Sequence, residues 1–121
     1  MVSQRGSGTM IAAAGALIAA TVAAAVILGC AAMLAAHRVR SAADLVAVSA
    51  AAEKSRGGDA CQSARQVASS NGVSVRECRI SGDDLDFVIS VTVALPFAHP
   101  VPGVPRAIEA TAHAGRLGVG P

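Results

Sequence analysis

From Met10 to Ala36 the chain runs about 27 residues without a charge, MIAAAGALIAATVAAAVILGCAAMLAA, and no other feature limits its folds so sharply. Roughly 20 apolar residues suffice to cross the hydrocarbon core of a bilayer as one helix. Gly15 and Gly29 do not break such a helix in lipid, where neighbouring groups satisfy the backbone. Arg5 precedes the stretch, and His37, Arg38 and Arg40 follow it. This pattern predicts a short polar leader over 1–9 and a transmembrane helix over 10–36. The roughly 80 residues beyond it suit one small domain on a tether.

Composition sets the limits of that domain. Apolar residues make up 53% of the chain and the mean hydropathy is +0.54, but the excess is mainly alanine and lies mostly before Ala52. Alanine buries little area, so the distal part cannot build a deep core from it. Phe87 and Phe97 are the only aromatics, with no Trp or Tyr to stack on a base or sugar. A net charge of +2, scattered along the chain, does not suggest nucleic acid as a partner. A core this small calls for help from a disulfide, a metal or a neighbouring subunit.

Cys30 lies inside the apolar run, where a thiol behaves as a small hydrophobe. Cys61 and Cys78 lie in the polar part and form a natural pair. The loop they would close stabilises by roughly 3 kcal/mol in the chain-entropy model. Such a bridge requires an oxidising compartment and places the domain outside the cytoplasm. Two unpaired thiols on the cytoplasmic side are the alternative, since spacing alone does not fix connectivity.

No Pro or Gly interrupts Ala31–Arg56. Ala42, Ala43, Leu45, Val46, Ser49, Ala50 and Glu53 continue the helix with one more apolar side. One helix is therefore expected from Met10 to Lys54, its second part a stem over 37–54. Arg56-Gly57-Gly58-Asp59 stops it. Asp59 can cap a second helix, Ala60–Ser70, which ends at Asn71-Gly72. Val73–Ile80 and Leu85–Leu95 read as a hairpin about the turn Ser81–Asp84. Leu85, Phe87, Ile89, Val91, Val93 and Leu95 share one face of the second strand, with Asp86, Ser90 and Thr92 on the other. Four prolines from Pro96 to Pro105, with Pro100 and Pro102 between, force a loop. A weaker third strand follows over Arg106–Ala114, with Ile108 inward. The fold class is α+β: a long helix laid against a small antiparallel sheet, with a head over 55–115 and a loose tail over 116–121. Cys61 on the short helix would be tied to Cys78 on the first strand.

Orientation draws on conflicting signals. Arg38 and Arg40 favour the C-terminal side as cytoplasmic under the positive-inside rule. The cysteine pair and the short polar N-terminus favour the opposite, N-terminus inside and head outside, and that orientation is preferred. A cleaved secretory signal fits poorly, because the apolar run exceeds the usual h-region and lacks a small-x-small site before a polar start. Ile27-Leu28-Gly29-Cys30 loosely matches a lipobox that would make Cys30 a lipidated anchor. However, Ala31–Ala36 stays apolar where lipoproteins turn polar.

Arg5-Gly6-Ser7-Gly8-Thr9 leads straight into the apolar helix. Arg38-Val39-Arg40-Ser41-Ala42-Ala43-Asp44-Leu45 follows it, then Cys61 ahead of Asn71-Gly72, and Cys78 within ECRISGDD. This order resembles TadE-like proteins of Tad-type (Flp) type IV pilus assembly, in their actinobacterial, secretion-associated branch. The resemblance implies a pilin-like membrane protein, acting as a minor subunit or accessory of a pilus or related secretion system. Its partners would be membrane lipid, other pilin-like or Tad-system proteins in homo- or hetero-oligomers, and a prepilin peptidase cutting between Gly6 and Ser7. Many pilin-like proteins carry Glu at the fifth mature position; here it is Ile11. That departure points away from a major fibre subunit, and leaves a single-pass accessory that holds a secretion ATPase or platform protein as the alternative.

The sequence carries no recognisable catalytic motif. The glycines at 6, 8, 57 and 58 lack the strand–loop–helix context and the Lys-Ser/Thr of a nucleotide loop. His37 reads as an interfacial residue, His99 as loop and His113 as an exposed strand position. No ligand spacing joins any of them to Cys61 and Cys78. Asp83, Asp84 and Asp86 read as a turn rather than a calcium loop. No enzyme activity, metal or cofactor is expected.

Overall fold

The computed structural model describes residues 4–97, 102–103 and 105–118. Its elements are α1 (Gln4–Ser55), α2 (Ala60–Ser70), β1 (Ser74–Gly82), β2 (Phe87–Pro96) and β3 (Ala107–Arg116). The architecture is α+β, as expected. The chain forms two compact units, residues 1–34 and 35–121.

The first unit is the N-terminal part of α1. The helix starts at Gln4, so Gly6–Thr9 belong to it and do not form a separate polar segment. Met10, Ile11, Leu17, Ile18, Val22, Val26, Ile27, Leu28, Met33 and Leu34 are all exposed. The helix is a candidate single membrane span by length and composition.

In the second unit, α1 buries Val39, Ala42, Ala43, Val46, Ala47 and Ala50, spaced i, i+3, i+4, i+7, i+8 and i+11. Leu45, expected on this side, is instead 48% exposed; Val39 and Ala47 take the inward positions. The buried stripe packs with Phe87, Ile89, Val91 and Val93 of β2, with Ala60, Ala64 and Ala68 of α2, and with Ala112 of β3. Small side chains on both helices and larger ones on the central strand make a thin core.

Both helices end alike. The Gly58 N–H donates to the Glu53 carbonyl (2.9 Å), and the Val73 N–H to that of Ala68 (3.0 Å). Gly57 and Gly72 adopt the positive φ that these six-residue closures demand, at +84° and +73°. Asp59 caps α2 by accepting from the Gln62 N–H at 3.1 Å.

The sheet is antiparallel in the order β1-β2-β3, with Cys78 opposite Val91, Ile80 opposite Ile89 and Ile108 opposite Leu95. The expected strands all form, with shifted ends. Leu85 is not part of β2 and is 72% exposed. The Asp83 carboxylate captures the N–H groups of Leu85 (2.9 Å) and Asp86 (2.8 Å), which turns the chain before pairing resumes at Phe87. Leu95 is half-buried at the edge of the core, and Ile108 packs there too. β3 runs on to Arg116, opposite Phe87, so residues 115 and 116 belong to the sheet rather than to strand end and tail. The expectations for His99 and Pro100, and for the last three residues of the tail, lie outside the described residues.

Within this unit α1 has a defined direction along the sheet. Ala36 and Arg40 line a groove with Ile108, Glu109, Ala110 and Thr111. At the other end the Lys54 ammonium sits 3.4 Å from Asp84 and 5.5 Å from the centre of the Phe87 ring. The start of β3 thus shares one end of the unit with Ala36 and Arg40, and the α2–β1 turn at Ser70–Gly72 lines a groove with Arg38, Ser41 and Ala42 at that same end. The β1–β2 turn occupies the opposite end.

Candidate functional site

Gly6 and Ser7 lie within the first turns of α1, where Thr9 Oγ1 donates to the Gly6 carbonyl at 3.2 Å. A peptidase acting between them needs extended chain, so it must unwind this end of the helix. The first four N–H groups of any helix lack intrahelical partners, which makes that end the easiest to open. Ile11, one turn further on, is 72% exposed. An apolar side chain there adds to the lipid-facing surface, whereas a carboxylate would need a partner within the bilayer.

Cys61 and Cys78 form a disulfide, with 5.9 Å between Cα atoms. It joins the start of α2 to the middle of β1 and pins α2 across the edge of the core. Cys30 is a free, exposed thiol inside an uninterrupted helix. His37 is exposed on α1, just past the apolar run.

His113 is exposed on β3 and faces Ser90 on β2, with Ser90 Oγ 2.7 Å from His113 Nδ1. One step along, Thr92 Oγ1 and Thr111 Oγ1 are 2.8 Å apart. Glu77 and Arg79 complete a shallow polar depression on this face. The sequence assigned Ser90 and Thr92 to the outer side of β2, but their partners follow from the β2–β3 register, which pairs Ser90 with His113 and Thr92 with Thr111. Such cross-strand hydroxyl pairs stabilise the sheet by a few tenths of a kcal/mol up to about 1 kcal/mol each. Among the described residues no third ionisable group hydrogen-bonds to His113, and no three His, Cys, Asp or Glu residues gather as metal ligands.

Among the described residues, the ionisable group with a shifted pKa is Asp83. The N–H of Asp86 chiefly, then that of Leu85, holds its carboxyl below the ordinary value of 3.8, and the Lys54 charge adds to this. This belongs to turn formation rather than to proton transfer.

Comparison with protein-family models, with curated proteins and with solved structures finds no match to the chain. A helix with a wholly exposed apolar part continues as the packing stripe of a small, disulfide-closed head.

Proposed function

We propose that this chain is a pilin-like, TadE-like minor subunit or accessory of a Tad-type pilus or related secretion system. The observation that carries the reading is α1 itself. One element of 52 residues offers bare apolar surface at its N-terminal part and supplies the core stripe of the head at its C-terminal part. That division of labour suits assembly through helix packing in the membrane, with the head as a cap or contact surface. Small residues along the apolar part let neighbouring helix backbones approach closely. The N-terminus lies inside and the head outside the cytoplasmic membrane, where the Cys61–Cys78 bond persists. Ile11 in place of a carboxylate favours a minor or accessory role over that of a major fibre subunit. The partners are membrane lipid, other pilin-like or Tad-system membrane proteins, and a prepilin peptidase.

The mass of the mature chain, isolated from cells that hold a prepilin peptidase, tests the proposal. A chain beginning at Ser7 supports the pilin-like reading. An intact N-terminus removes processing from the account and favours a membrane-retained accessory. A lipidated chain beginning at Cys30 overturns both.

A further inference from the structure

Three exposed arginines lie at the end of the head where the chain enters it. Arg38 and Arg40 lie on α1 within four residues of the end of the apolar run, and Arg106 lies just ahead of β3. The groove that Arg40 and Ala36 form with Ile108 and Glu109 fixes the start of β3 beside this part of α1. The backbone bond from the Phe97 N–H to the Arg106 carbonyl (3.0 Å) closes the β2–β3 connection at its neck. Phe97 thus stands at the same end, 41% exposed, while the chain's other aromatic, Phe87, is buried. None of the three arginines has a carboxylate partner among the described residues, and Glu109 at this end faces Arg76 at 3.9 Å. The opposite end carries Asp83, Asp84 and Asp86 on the β1–β2 turn.

We propose that this end of the head, which carries Arg38, Arg40, Arg106 and Phe97, is a seat on the phospholipid surface. The arginines contact headgroup phosphates and Phe97 enters the interfacial layer. The proposal rests on the reading of α1 as a membrane span. Given that span, the occupant follows from chain continuity. Residues 36–40 follow directly on the apolar run, so the end of the head to which they belong is the end joined to the span. Guanidinium groups suit phosphate, and apolar side chains beside them suit the headgroup–acyl boundary. The acidic turn is held at the far end, away from an anionic surface. On this account Arg38 and Arg40 serve the head's contact with lipid, which removes the need to read them as a topology signal.

The chain contains no Trp, so a single introduced one reports its own surroundings. The full chain is reconstituted in phosphatidylglycerol–phosphatidylcholine vesicles whose acyl chains carry bromine close to the headgroup. Phe97→Trp is read beside Leu28→Trp in the apolar run and Leu85→Trp on the far turn. Strong quenching is expected for Leu28→Trp and Phe97→Trp, and little for Leu85→Trp. Adding Arg38→Gln, Arg40→Gln and Arg106→Gln to Phe97→Trp should lower its quenching toward that of Leu85→Trp. If Phe97→Trp is quenched no more than Leu85→Trp while Leu28→Trp is quenched, the seat is wrong and the span stands. If Leu28→Trp also escapes, the span itself is wrong. Quenching of Phe97→Trp that ignores the arginine substitutions overturns their assignment to phosphate.

Discussion

Cys61, in the first turn of α2, is bonded to Cys78 in the middle of β1, 17 residues further along the chain. The bond ties the flanking helix of the head to an edge strand whose other side chains are mostly exposed. Since α2 buries only Ala60, Ala64 and Ala68, with Val67 partly buried against the core, its attachment depends heavily on this link. Replacing both cysteines by Ser should cost roughly 3 kcal/mol of stability. Urea unfolding of the full chain in detergent, with and without the substitutions, measures it. An unchanged midpoint would show that α2 holds by packing alone.

Alanines fill several of the fully buried positions on the stem. Ala43, Ala47 and Ala50 are at most 1% exposed, and a leucine in such a position adds volume to a packed core. Ala47→Leu should destabilise the head by about 1–3 kcal/mol, as overpacked cores do. Leu45→Ala on the exposed side should change stability by less than about 0.5 kcal/mol. Thermal unfolding of the two variants checks the assignment of faces, and a reversed ranking would place the sheet on the other side of the stem.

Much of this was legible in the chain. The period-two pattern of Phe87, Ile89, Val91 and Val93 marks the central strand, because only one of its faces is buried. The helix stops at Gly57 and Gly72 were equally plain. The faces of the stem were not. Leu45 and Val48 lie opposite the alanine stripe, so the helix is apolar on two sides and its period does not tell which one packs. Leu85 continues the alternation of β2, yet the Asp83 carboxylate takes its N–H and removes it from the strand. The Ser90–His113 and Thr92–Thr111 pairs depend on the register across a ten-residue connection, and no local pattern encodes that register.

Acid should weaken the β1–β2 turn. Asp83 has its carboxyl pKa depressed in the folded state by the Asp86 and Leu85 N–H groups. A depressed carboxyl stabilises the fold at pH above its unfolded value, and the contribution fades as pH falls through the folded value. The advantage of the wild-type chain over Asp83→Asn should therefore be present near neutral pH and disappear as pH falls below the ordinary value of 3.8. Urea midpoints of both proteins across that range give the difference directly. An advantage independent of pH would mean that hydrogen-bond geometry, not charge, holds the turn.

The central claim is that α1 carries a disulfide-closed head across the membrane. The most direct measurement fuses alkaline phosphatase after Gly118, leaving all three strands intact, and reads phosphatase activity alongside the thiol state of Cys61 and Cys78 in the same cells. The account predicts an active fusion with both cysteines oxidised. An intact, membrane-bound fusion that is inactive, with Cys61 and Cys78 reduced, would contradict it.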